Sequence, residues 1–139
     1  MEVVYLKKLS IIAISIVFIL AIGINSISCT VNSPPTLEGG SLLYTLNNNA
    51  TSYRAIVMYK DADGDLPKYM FVYLNGSKRI MERLDVKDNN AKDGIIYVLP
   101  INSEEFSQLT RGTNEGSIKY SFRTNDGYGV VNTAESNTM

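Results

Sequence analysis

The stretch Tyr59-Lys60-Asp61-Ala62-Asp63-Gly64-Asp65-Leu66-Pro67 joins two apolar segments, residues 52–58 and 68–74, and gathers three carboxylates within five residues. In 53–59, Tyr53, Ala55, Val57 and Tyr59 fall on one face, with Ile56 and Met58 on the other, so the pattern leaves the register open. The run 69–74 is β-branched and aromatic and lies between Pro67 and Asn75, which favours a strand. The acidic stretch therefore reads as a connection between strands, with Gly64 supplying a positive φ and Pro67 ending the turn.

The same grammar repeats outward. Residues 42–46 make a first strand, closed by Asn47-Asn48-Asn49. Asn75-Gly76 predicts a tight hairpin into 78–84, because a type I′ turn needs positive φ at both central residues. The uninterrupted apolar run 95–99 reads as a strand buried on much of both faces. In 117–124, Ile118, Tyr120 and Phe122 alternate with Lys119, Ser121 and Arg123, and Asp126-Gly127 turns the chain into 128–133. Residues 104–109 make one helical turn or a crossover loop, with Ser103 able to cap it. About seven short strands with no long helical period predict an all-β, two-sheet antiparallel sandwich.

Composition limits the chemistry. The 139-residue chain has net charge −1 and no histidine, so nucleic-acid binding is not expected and triad or zinc chemistry built on imidazole is excluded. Cys29 is the single cysteine and has no internal disulfide partner. Glu104-Glu105 is no catalytic pair, since nothing nearby completes a site. The expectation is a protein that is not an enzyme.

Residues 1–28 read as an export leader: Lys7 and Lys8, an uncharged run over 9–24, then Asn25-Ser26-Ile27-Ser28 ahead of Cys29. Ser26-Ile27-Ser28-Cys29 resembles a bacterial lipobox, with Ser26 in place of the usual Leu and Ser28 in place of the usual Gly or Ala. The resemblance implies lipidation of Cys29 and a membrane partner through that anchor. Cleaved secretion and a retained helix are the alternatives, the 20 uncharged residues 9–28 being roughly what a bilayer core of about 30 Å needs. All three place the rest of the chain outside the cytoplasm. Residues 29–41, with Ser33-Pro34-Pro35 and Gly39-Gly40, read as a tether, 42–134 as the domain, and 135–139 as a tail.

Two segments resemble immunoglobulin-like modules of bacterial surface and secreted proteins. One is the Y-x-D-x-D-G-D-x-P stretch with Val72-Tyr73-Leu74-Asn75-Gly76. The other is Gly116-Ser117-Ile118-Lys119-Tyr120-Ser121-Phe122 with Asn125-Asp126-Gly127, where Ile118 takes a place often held by His. The resemblance implies a single immunoglobulin-like or fibronectin type III-like sandwich. In it Tyr120 is the tyrosine-corner residue, bonding backbone through its hydroxyl, and Phe122 replaces the usual Cys. Such folds host many roles, so function is read from the site.

In that topology the loops holding Asp61, Asp63 and Asp65, then Asp88 and Asp93, then Asp126, share one end. Calcium takes six to eight oxygens, and Asp61, Asp63, Asp65 and Asp126 are its candidate ligands. The competing reading is a tight turn whose Asp side chains bond backbone amides. Gly64 stands at the fourth position of the loop, so this is no EF-hand. The sequons Asn49-Ala50-Thr51 and Asn75-Gly76-Ser77 carry no weight beside a bacterial leader, and the tyrosines alternate as packing residues do. The expected role is a non-enzymatic structural or protein-interaction (adhesion-type) module at the cell surface. A carbohydrate- or matrix-binding module, calcium-stabilised or not, is the alternative.

Overall fold

The computed structural model describes residues 31–47, 50–111, 113 and 116–138, so the expected leader and Cys29 lie outside the described residues. The chain divides into two compact units, Met1–Val31 and Asn32–Met139, and every described strand belongs to the second. The described strands are β1 (Thr36–Asn47), β2 (Ala50–Lys60), β3 (Tyr69–Leu74), β4 (Ser77–Ile80), β5 (Glu82–Arg83), β6 (Ile95–Ile101), β7 (Lys119–Asn125), β8 (Val130–Asn132) and β9 (Ser136–Asn137). One short helix, α1 (Ser103–Thr110), lies between β6 and β7. Among the described residues no helix is long and apolar enough to cross a membrane.

Two antiparallel sheets form, in the orders β1-β2-β6-β5 and β4-β3-β7-β8, with β9 also on β7. The core follows the two-residue period of strands. Ala55, Val57 and Tyr59 from β2 and Ile95, Tyr97 and Ile101 from β6 are buried with Met70, Val72 and Leu74 from β3 and with Phe122. Each large apolar side chain so buried contributes about 1.5–3 kcal/mol. The register of β2 is thereby settled: the face bearing Ala55, Val57 and Tyr59 points inward. The hairpin at Asn75 (φ 48°) and Gly76 (φ 80°) has the two positive φ values that its sequence predicts.

Several details differ from the sequence reading. β1 starts at Thr36 and takes in Gly39-Gly40, which the composition assigned to a tether. The pair marks a bulge between Glu38 and Ser41, with Gly39 at φ +61°. A Cβ on Gly40 would stand 2.7 Å from the Phe122 ring, so the glycine makes room for that ring between the sheets. The expected single strand over 78–84 is two strands. β4 pairs with β3 in one sheet and β5 with β6 in the other, and the chain changes sheet at buried Met81.

β6 is buried on one face only: Ile95 and Tyr97 point in, whereas Ile96 is 37% exposed. β9 forms inside the expected tail. The helix is capped by Asn102, whose Oδ1 accepts the Glu105 amide at 2.8 Å, while the hydroxyl of Ser103 is turned to the Thr51 carbonyl. Glu104 and Glu105 in its first turn suit the positive end of the helix dipole.

Candidate functional site

The acidic loop is built around one atom. Asp61 Oδ1 accepts the amides of Asp63, Gly64 and Asp65 at 2.9, 2.8 and 3.0 Å, and Gly64 reaches its place at φ +92°. The Tyr59 hydroxyl donates to the Asp65 carbonyl at 2.8 Å and so closes the loop from inside. Pro67 is half-buried just ahead of β3. The tyrosine, the first aspartate and the glycine of the stretch thus hold one turn, as the turn reading expects.

The other two carboxylates turn outward and fasten the incoming chain. Asp63 Oδ2 accepts the Ser33 amide at 2.6 Å, and Asp65 Oδ2 accepts from Asn32 Nδ2. Beside them Pro35 is buried. This clasp was not legible in the sequence, because nothing local links residues 32–33 to a loop thirty positions later.

Three loops meet at this end. Asp61 donates its amide to the Ala91 carbonyl at 2.9 Å, and Lys68 donates its amide to the Asn125 carbonyl at 2.7 Å. In the loop after β7, Asp126 Oδ1 accepts the amides of Tyr128 and Gly129, both at 2.7 Å. Asp88 and Asp93 serve their own turn: Asp88 Oδ1 takes the Asn90 amide and Asp93 Oδ2 the Asn90 side-chain amide. Of the six carboxylates expected at one apex, only Asp61 (1% exposed) and Asp126 (4%) are buried. Among the described residues no three acidic or cysteine side chains gather round one point as a metal site. Burial, and then the charges of Asp61, Asp126 and Asp65, push the Tyr59 phenol well above its ordinary range.

Tyr120 and Phe122 lie on the inner side of β7, their rings edge-on with centroids 5.9 Å apart. Phe122 is buried and Tyr120 half-buried. The expected corner bond from the Tyr120 hydroxyl is not among the hydrogen bonds of the described residues. The Phe106 ring, on the helix, stacks on Tyr53 with centroids 3.6 Å apart.

The outward faces of the two sheets differ in chemistry. On the first, register places Ile56 opposite Val98 and Met58 opposite Ile96, with Leu43 beside them. A shallow apolar groove runs between Leu43, Ile56, Met58 and Ile96. On the second sheet Tyr69, Phe71 and Tyr73 form a row. Tyr69 and Phe71 stack on each other at 4.5 Å, Lys78 stands 4.8 Å over the Phe71 ring, and Arg123 pairs opposite Phe71. Donation from the Arg123 guanidinium to the Tyr73 and Tyr69 side chains holds it above its usual range. The aliphatic face was hidden in the sequence because β6 reads as a doubly buried strand, and periodicity cannot tell a covered second face from an open one.

Neither the models of known protein families nor the curated proteins compared with this chain give a match.

Proposed function

We propose that the chain is an extracytoplasmic lipoprotein whose single immunoglobulin-like domain binds another protein and performs no chemistry. The leader and lipobox-like Ser26-Ile27-Ser28-Cys29 support the anchor. The strand orders β1-β2-β6-β5 and β4-β3-β7-β8 correspond to the ABED and C′CFG sheets of immunoglobulin-like domains, which supports the module. The observation that carries the binding role is the aliphatic outer face of the first sheet, Leu43, Ile56, Met58 and Ile96. Leu43 is 40% and Ile96 37% exposed, with Ile56 and Met58 half-buried between them, whereas the inner face makes the core.

A carbohydrate-binding role would draw on the aromatic row of the second sheet. Tyr69 and Phe71 stack on each other and Lys78 covers Phe71, which reduces the flat surface for a sugar. An apolar patch on a partner protein fits the first sheet better.

Mass spectrometry of the mature N-terminus tests the anchor: an acylated Cys29 as first residue is expected, and an intact Met1 rejects it. Cross-linking on whole cells tests the face. A discrete adduct of the wild-type chain should disappear in Ile56→Lys and persist in Tyr73→Ala. Glycan binding that is lost in Tyr73→Ala, with the adduct unaffected by Ile56→Lys, would reverse the assignment.

A further inference from the structure

Each buried aspartate at the apex uses only one of its two oxygens. Oδ1 of Asp61 and Oδ1 of Asp126 accept backbone amides, but the Oδ2 atoms of both are shut off from solvent and have no hydrogen-bond partner among the described residues. Asn32 Oδ1 is a third buried oxygen in the same condition. Burying a carboxylate oxygen with nothing to answer it is strongly unfavourable, and native structures leave few such atoms.

The three oxygens belong to neighbouring segments. Asn32 is held to Asp65, whose amide is held to Asp61. Pro34 lies 3.7 Å from where a Cβ on Gly129 would stand, so residues 32–34 run between the two aspartate loops. Neither aspartate forms an ion pair with a lysine or arginine among the described residues. Two lysines border these loops, Lys68 across Gly127 and Lys92 against Gly64.

We propose that Asp61 Oδ2, Asp126 Oδ2 and Asn32 Oδ1 bind one divalent cation of the calcium type, with water or backbone oxygens completing its shell. All three donors are hard oxygens, and they come from three separate segments that set no octahedron, which suits the larger, more tolerant calcium ion over magnesium. Asp63 is left out of the shell, as are Asp88 and Asp93. With only two carboxylates the affinity falls at the weak end, about 10⁻⁴–10⁻³ M. The ion would tie the incoming chain, the β2–β3 loop and the β7–β8 loop into one unit.

Calcium chloride against chelator, with the full-length chain in detergent, tests this. Saturating calcium should raise the melting temperature by roughly 5–10 °C, and calorimetric titration should show one site. Asp126→Asn keeps an oxygen for the Tyr128 and Gly129 amides and removes the charge. It should melt at or above wild type in chelator and lose the calcium increment, whereas Asp63→Asn should keep that increment. A buried water answering the same oxygens predicts wild-type melting that is indifferent to calcium together with no calorimetric heat, and that result overturns the site. A calcium increment undiminished in Asp126→Asn overturns the ligand set.

Discussion

The β2–β3 loop and the β7–β8 loop use the same device: a buried aspartate directs one oxygen to backbone amides, three on Asp61 and two on Asp126. They differ in what else they carry. The first is braced from within by the Tyr59 hydroxyl and reaches outward through Asp63 and Asp65 to the incoming chain. The second is braced by Asn125, whose Oδ1 takes the Gly127 amide at 2.6 Å and whose carbonyl takes the Lys68 amide. An acidic stretch is therefore not one kind of object. Its first carboxylate is an internal fastener, and its later ones are external ones.

That contrast can be broken by substitution, measured by urea denaturation in chelator so that bound cations play no part. The largest effect is expected for Asp61→Ala, which strips the acceptor from three part-buried amides at once. A loss of about 3–4 kcal/mol is expected, since bonds to a charged group contribute about 1.5–3 kcal/mol each and are not additive within one turn. Asp61→Asn, which keeps an acceptor, should lose less than half of that. Asp126→Ala comes next at about 2–3 kcal/mol, with two amides released. If it proved as damaging as Asp61→Ala, the difference between the loops would vanish.

Tyr59→Phe should cost about 1 kcal/mol, the loss of one hydroxyl bond to the Asp65 carbonyl with the ring still packed. Asp63→Ala should sit lowest, within about 0.5 kcal/mol, because its carboxylate is exposed and the bond to the Ser33 amide is replaced by water. Hydrogen exchange at Ser33 should nonetheless rise in Asp63→Ala, and unchanged exchange would remove that residue from the clasp.

How far the sequence could be read follows from how local each feature is. The Tyr53, Ala55, Val57 and Tyr59 face, the Ile118–Phe122 alternation and the Asn75-Gly76 hairpin are set within a few residues, and the two sheets contain all three. Gly64 likewise announces a turn in its own neighbourhood. Gly39-Gly40 deceived because its meaning lies in Phe122, eighty positions away, whose ring fills the space a side chain would take. Met81 looks like the middle of a strand because nothing local says that the two sheets compete for its neighbours. At the apex, the acidic positions were legible but their division of labour was not. Which oxygen is buried, and whether Asn32 joins them, depends on how a segment with no acidic signature of its own threads between two loops.

The clasp at Asn32 and Ser33 has a mechanical consequence. Tension applied to the chain ahead of residue 32 meets the bonds to Asp65 and Asp63 before it reaches Thr36, the first residue of β1 paired with β2. The loop thus lies upstream of the sheet along the line of pull, in the manner of a strain relief on a cable. A tug on the incoming segment loads two carboxylates on a turn that Asp61 and Tyr59 brace from behind. The β1–β2 ladder, on which the first sheet depends, takes up load only once those two fasteners let go.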